Sequence, residues 1–414
     1  MLDLIHDWNQ DDGEGALPSR VMLDDETLRD GLQSPSVTDP PIEAKKRILH
    51  LMDALGIDTA NVGLPGAGPR AVADVEALCR EIAQAGLAIR PNCAARTMQR
   101  DIEPIARIAQ ATGVPIEASL FIGSSPIRQY VEGWDEDFLL ERTREGIGYA
   151  LEQGLDVMFV TEDTTRARPE TIRKLYGEAV RLGAKRVCIA DTVGHATPRG
   201  AFRLVRFLRS VLDACGGQEV GIDWHGHRDR GMGLANCIAA VRAGATRVHG
   251  CALGIGERCG NAEMDLLLVN FKLLGFPGWS DRDLSRLGEY VQAVSQALQV
   301  PIPANYPVVG SDAFETATGV HAAAVVKAYE KGNAWLADRI YSGVPAGDFG
   351  MGQRIRIGPM SGRSNVVHWL RSHGLDPTDD LVGRIFDAAK RSDRLLEDEE
   401  IRALVNAGAP TRVL

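Results

Sequence analysis

Several features that define whole classes of protein are missing from this chain. Its seven cysteines form no CxxC pair, so neither a disulfide framework nor a zinc ribbon is indicated. Reduced thiols in the cytoplasm are the simplest reading. No apolar run approaches the roughly 18 residues that a bilayer span requires, and no membrane association is expected. The first twenty residues are acidic and lack the basic-then-apolar order of a secretory signal, so residues 1–20 read as a polar leader. No block of lysine and arginine is present, and 56 acidic residues against 46 basic ones give a net charge of −10. That balance argues against a nucleic-acid partner. Internal repeats, low-complexity tracts and coiled-coil heptads are absent as well.

With 414 residues, 44% of them hydrophobic, the chain can bury a large core. Strand-like and helix-like segments alternate along most of it. The strand candidates are VMLDDETL (from 21), TANVGL (59), AIRPNC (88), IEASLFI (116), DVMFVTE (156), RVCIAD (186), VGIDWHG (220) and RVHGCAL (247). Amphipathic stretches such as PIEAKKRILHLMDALG lie between them, several ending in glycine as helices commonly do. Eight such units predict an α/β fold of the (β/α)₈ barrel type over residues 21–278. The rival, an open doubly wound sheet, would place a glycine-rich turn after its first strand, where this chain has TLRDG. Beyond residue 278 the alternation stops. Residues 279–414 read as an α-rich appendage: a helix in WSDRDLSRLGEYVQAVSQAL, a proline-rich connection, a helical segment around His321, a basic glycine-rich stretch, and two more helices to about Asn406.

The strongest local signal is DWHGHRD at 223–229. On a strand, Asp223, His225 and His227 share a face, which in a barrel can be the interior near the C-terminal mouth where active sites lie. An HxH pair alone is weak, but other strand ends strengthen it. The first strand ends in Arg29-Asp30-Gly31, and the eighth runs into LGIGERCGNA, which brings Asn261 near. Asp30, His225, His227 and Asn261 together form a mixed nitrogen and oxygen donor set suited to Mg²⁺, Mn²⁺, Co²⁺ or Zn²⁺ without choosing among them. Lacking thiolates and leaving positions open, the set is catalytic in character. Cys259 is set aside as a ligand. Residue by residue, Asp30 also reads as a helix cap or a partner for Arg29, Asn261 as a helix cap, and GLPGAGPR (63–70) as a turn or as a loop approaching a phosphate.

At these positions the sequence resembles a known family. DETLRDGLQSP (25–35), DTVGHATPR (191–199), HGHRDRGMGLAN (225–236) and LGIGERCGNAEMD (253–265) are similar to the acyl-CoA-condensing members of the DRE-TIM metallolyase superfamily, the 2-isopropylmalate, citramalate and homocitrate synthases. GVHAAAVVKA (319–328) and IGPMSGRSNV (357–366) extend the resemblance into the appendage. It implies metal ligation by Asp30, His225 and His227 with Asn261 in the fourth position, and Arg29 against the 2-oxo group. Glu162 and Thr192 would face the substrate carboxylate or an ordered water. His321 would act as the base toward acetyl-CoA, with Tyr341 associated. From spacing alone, His321 reads as a surface histidine. The resemblance also implies a domain-swapped homodimer in which the appendage of one subunit covers the barrel of the other.

The fifth strand bears on the acceptor. Homocitrate synthases resemble VRFSSED there, with an arginine toward the distal carboxylate of 2-oxoglutarate; this chain has Met158 at that place and Val160 in place of a serine. A second carboxylate would be desolvated without a partner, so 2-oxoisovalerate is the expected substrate and pyruvate the smaller rival. Other positions blend the branches. Arg228 stands where relatives have asparagine and could supply the missing cation if it reached the pocket. Leu32 stands where isopropylmalate synthases usually have glutamate, and ADTVGHATPR and LGIGER look closer to homocitrate synthases. A hydroxymethylglutaryl-CoA lyase would share RDG and HxH, but GERCGN and the long appendage favour the synthases. Only about fifty residues follow SGRSNV, so leucine feedback through an added regulatory domain is not expected.

Overall fold

The structure, a computed structural model, describes residues 4–5 and 17–407. Most of the polar leader therefore lies outside the described residues. Eight parallel strands close into a barrel: β1 (Met22–Asp25), β2 (Thr59–Asn61), β3 (Arg90–Arg96), β4 (Glu117–Gly123), β5 (Asp156–Glu162), β6 (Arg186–Asp191), β7 (Gly221–Gly226) and β8 (Arg247–Gly250). The barrel closes through β1 and β8, with Asp24 opposite His249. Helices follow each strand, among them α1 (Ile42–Ala54), α2 (Pro69–Ala85) and α3 (Gln99–Thr112). Next come α4 (Pro126–Glu132), α5 (Glu136–Glu152), α6 (Pro169–Leu182), α7 (Pro198–Ala214), α8 (Gly233–Arg242) and α9 (Met264–Leu273).

Local chemistry explains these boundaries. Proline opens α2, α4, α6 and α7 at a position whose N–H needs no partner. Thr197 caps α7 by accepting from Gly200 N–H at 3.2 Å. The expected β5 and β6 agree with the observed strands at both ends, whereas β1 and β8 are shorter than their apolar runs suggest. The eighth run stops at Gly250 because the backbone turns through Leu253, which takes φ +56°.

The barrel interior is unusually polar. Asp24 accepts from Asn92 Nδ2 at 2.6 Å and from the Thr59 hydroxyl, and Ser119 donates to Asn92 at 3.1 Å. Arg247 Nε and Nη2 each stand 2.5 Å from a carboxylate oxygen, of Asp223 and Glu117 respectively. Asp223 also meets Arg186 at 2.5 Å and His249 at 2.9 Å. Buried charges of this kind persist only when every member is paired.

Asp25 sits outside that stack, buried with Tyr290, whose hydroxyl donates to it, and with the Thr27 N–H at 2.8 Å. Burial pushes its carboxyl up to about 7 from the ordinary 3.8. A carboxyl raised on folding contributes stability that is full below pH 4 and is lost as pH rises toward 7. The shift corresponds to on the order of 4 kcal/mol. Asp25→Asn is therefore expected to be nearly as stable as the parent at pH 4 and more stable at pH 7.5. Denaturant midpoints at the two pH values check this, and the same change in midpoint between them for both proteins would contradict it.

The chain divides into two compact units, one reaching Arg282 and including Glu289–Pro301, the other comprising Asp283–Gly288 and the residues from Ile302. Helix α10 (Leu287–Leu298) falls mostly in the first. The second unit is helical, with α11 (Gly319–Glu330), α12 (Ala334–Ala337), α13 (Arg363–Ser372), α14 (Asp379–Arg391) and α15 (Asp398–Asn406). A short parallel pair, Glu315–Thr316 with Arg354–Ile355, accompanies them. Three helices, rather than the expected two, follow the basic glycine-rich stretch. Their cores combine Ile357, Val366, Trp369, Leu370, Val382 and Ile385. Among the described residues no helix is long and apolar enough to cross a membrane.

Candidate active site

The C-terminal ends of the strands converge on a cavity of about 180 Å³. Arg29, Asp30, Met158, Val160, Glu162, Thr192, His225 and His227 all line it, so the barrel brings together residues on or just beyond four strands, β1, β5, β6 and β7. A ligand atom from each of Asp30, His225 and His227 falls within 4.8 Å of the others. His225 projects from β7. His227 lies just beyond that strand, where its backbone forms a bridge with Asn261. Asp223 shares their alternation but belongs to the salt-bridged stack below.

Asp30 makes no cap bond at the turn it opens. Its Oδ1 accepts from Asn261 Nδ2 at 2.7 Å and its Oδ2 from Arg29 Nη1 at 2.8 Å. Burial alone would raise the Asp30 carboxyl, but Arg29 and both histidines outweigh it and hold the group below its usual range. Burial, aided by the neighbouring His225, lowers His227 to about 4, so the ring is neutral at physiological pH and can act as a ligand.

These residues fit a divalent cation on grounds independent of any resemblance. His227 Nδ1 and Asn261 Oδ1 are buried atoms without a hydrogen-bond partner. Gly256, at φ +147°, passes so close that a Cβ there would stand 2.7 Å from Asp30 Oδ1 and 2.2 Å from Asn261 Nδ2. Only glycine leaves that cradle open. Asn261 does not cap α9, whose N-cap is Glu263.

Two participants escaped the sequence reading. Glu26 Oε2 lies 2.7 Å from His225 Nδ1, while its Oε1 accepts from Arg29 Nη2 at 2.6 Å. With Nδ1 facing Glu26, Nε2 is the His225 nitrogen left for a cation. Burial raises Glu26, but Arg29, His225 and His249 prevail and hold it well below its ordinary value. His249 is the second, 3.3 Å from Glu26 and 2.9 Å from Asp223. Burial lowers its pKa, yet Asp24 and Glu26 carry it up to about 10.

On the rim, Glu162 is raised by burial against the opposing pull of Arg128. Thr192 Oγ1 accepts from Asp163 N–H at 2.8 Å, which leaves its own proton available. Arg228 does not line the cavity: Glu263 and the Cys259 carbonyl hold its guanidinium. Cys259 is exposed and outside the donor cluster. GLPGAGPR forms a one-turn helix leading into α2 and borders a groove that shares Arg29, Gln33 and Leu64 with the cavity. In the second unit, His321 and Tyr341 are exposed and stack on each other with ring centroids 4.2 Å apart.

Comparison with known proteins places this geometry among relatives. The family model described as HMGL-like matches residues 20–294. Homocitrate synthase AksA of Methanopyrus kandleri is 34% identical, over 90% of this chain and 88% of its own length. A probable 2-isopropylmalate synthase of the same organism is 33% identical over 90% and 70%. The (R)-citramalate synthase CimA of Methanocaldococcus jannaschii is 29% identical over 93% and 74%. These relatives carry three different acceptor names at nearly the same identity. Among solved structures, hydroxymethylglutaryl-CoA lyase from Pseudomonas aeruginosa matches with a TM-score of 0.54 at 22% identity, covering 68% of this chain and 93% of that one. That likeness concerns the fold.

Proposed function

The chain belongs to the HMGL-like family, among the 2-isopropylmalate, homocitrate and citramalate synthases of the DRE-TIM metallolyase superfamily, and on that premise we propose that it condenses acetyl-CoA with an apolar 2-oxo acid, 2-oxoisovalerate, to give 2-isopropylmalate. The observation that carries the choice of acceptor is the cavity wall. Met158 and Val160 line it together with Ala94, Phe121 and Ala190; among the described residues Arg29 is its only lysine or arginine, and the other cation on its wall, His249, is engaged by Glu26 and Asp223. A distal carboxylate would enter this space with no cation free to pair with it.

For the barrel residues the proposed roles are supported by position, and for His321 and Tyr341 by the family resemblance. Asp30, His225 and His227, with Asn261 beside them, would hold a divalent metal, which supplies Lewis acidity toward the keto group. Glu26 orients His225 and, with Asp30, fixes the Arg29 guanidinium from two sides. Arg29 donates to the 2-oxo oxygen and stabilises the negative charge that gathers there as the carbon–carbon bond forms. Thr192 donates to the substrate carboxylate. Glu162, favoured in its protonated form by burial, donates to the same carboxylate or holds a water. His321 accepts a proton from the acetyl methyl group, with Tyr341 packed on its ring. Hydrolysis of the thioester then makes the reaction irreversible. Val320, Tyr341 and Met360 are exposed apolar side chains of the second unit, as expected if this surface covers the barrel of a second subunit in a swapped homodimer.

The test is thiol release from acetyl-CoA with 2-oxoisovalerate, pyruvate, 2-oxoglutarate and oxaloacetate. We expect kcat/KM for 2-oxoisovalerate to exceed that for 2-oxoglutarate by about a hundredfold or more. Turnover mainly with 2-oxoglutarate would refute the apolar pocket. Acetyl-CoA production from hydroxymethylglutaryl-CoA would replace the synthase reading with a lyase.

A further inference from the structure

The cations on the cavity walls, Arg29 and His249, are both held by carboxylates, yet another cation lies directly beneath the walls. Arg247 is fully buried at the start of β8, and its Nη2 stands 3.1 Å from Met158 Sδ. Met158 lines the substrate cavity, whereas Arg247 lines a separate opening of about 420 Å³ at the N-terminal end of the barrel, together with Glu117 and Asn92. One thioether therefore separates the substrate from a guanidinium.

The partners of that guanidinium are unequal. Asp223 is a hub, held at once by Arg186, Arg247 and His249. Glu117 pairs with Arg247 alone among the ion pairs of the described residues, and its side chain is partly exposed at the N-terminal opening. Removing the Asp223 charge would take a partner from three cations at once. Removing that of Glu117 would leave Arg247 held by Asp223 through Nε, with Nη2, the nitrogen that faces Met158, without its carboxylate.

We propose that Met158 and Glu117 together mask Arg247, Met158 by covering it and Glu117 by neutralising it, and that this pair determines why the site takes apolar rather than acidic 2-oxo acids. Acceptor choice would then rest on the concealment of a cation already present. The proposal builds on the apolar-pocket reading above. It makes Met158 a specificity residue through contact with substrate, and Glu117 a positioning residue that acts through Arg247.

The experiment compares wild type, Met158→Ala, Glu117→Gln and the double variant. It measures kcat/KM for 2-oxoisovalerate, 2-oxoglutarate and the monocarboxylate 2-oxohexanoate, whose distal end is uncharged, with isothermal titration of each acid. The wild-type preference alone judges the apolar pocket; the change on substitution alone judges the masking. Exposing a paired polar contact is expected to raise the ratio of 2-oxoglutarate to 2-oxohexanoate at least about tenfold in the double variant. Met158→Ala alone should admit both longer acids with little preference between them. Equal gains for both acids in the folded double variant would mean that only room was created, and would overturn the proposal. Should Met158→Ala fail to fold, Met158→Val removes the thioether with a smaller void and takes its place under the same criteria.

Discussion

Replacing Asp30 with alanine is expected to cost about a thousandfold in kcat and to weaken divalent-metal binding in the same protein. Three observations converge on this carboxylate. It supplies the oxygen of the Asp30, His225 and His227 cluster, accepts from Asn261 and Arg29, and is held ionised by Arg29 and the two histidines despite burial. Its removal leaves the two imidazoles, a weak chelate by themselves, and frees one side of Arg29. Metal titration by calorimetry and steady-state thiol release, run on the same preparation, check both halves. Unchanged metal affinity in Asp30→Ala would remove this residue from the ligand set.

Arg29→Ala should fail differently. The guanidinium is clamped between Glu26 Oε1 at 2.6 Å and Asp30 Oδ2 at 2.8 Å, which fixes its orientation before substrate arrives. Such fixed donors act where charge develops, and losing one typically costs about 10²–10³ in kcat. Two carboxylates lose a cation at the same time, so metal affinity should hold or increase rather than fall. Arg29→Lys keeps the charge but cannot bridge both carboxylates in one plane, and it should recover only part of the rate. A parallel loss of metal binding in Arg29→Ala would show that the residue supports the ligands instead of the reacting oxygen.

Much of this arrangement can be read from residue order. In a closed barrel of sequential strands, the end of β7 must approach the end of β1 across β8, and that order alone brings His225 and His227 toward Asp30 and Asn261. Glu26 and His249 are less legible, because neither lies in the RDG or HxH signature that points to the metal site. A signal was nevertheless present: β7 carries Asp223 and His225 two residues apart, β8 carries Arg247 and His249 likewise, and β1 ends in Asp24 and Asp25 with Glu26 directly after it. Charged residues at alternate positions of strands buried on both faces must meet one another inside the barrel, because no water is there to receive them. Pairing of this kind is a property of three strands at once and is invisible to a reading of each strand alone. The C-terminal segment holds one helix more than expected, because the turn of HGLDPTDD separates α13 from α14 and a second break at Ser392 separates α14 from α15.

The contrast between Arg228 and Arg247 shows where spacing misleads. Arg228 is adjacent to the HxH pair, yet Glu263 holds it away from the cavity. Arg247 belongs to none of the quoted site motifs, yet it comes within 3.1 Å of Met158 on the substrate wall.

The central claim is that this barrel mouth performs metal-dependent condensation of acetyl-CoA with a 2-oxo acid. The most direct measurement is thiol release from acetyl-CoA with 2-oxoisovalerate before chelation, after exhaustive chelation, and after divalent metal is returned. The account predicts turnover that disappears with the metal, returns with it in wild type, and does not return in Asp30→Ala. Full activity in the chelated protein, or equal restoration in the Asp30 variant, would contradict it.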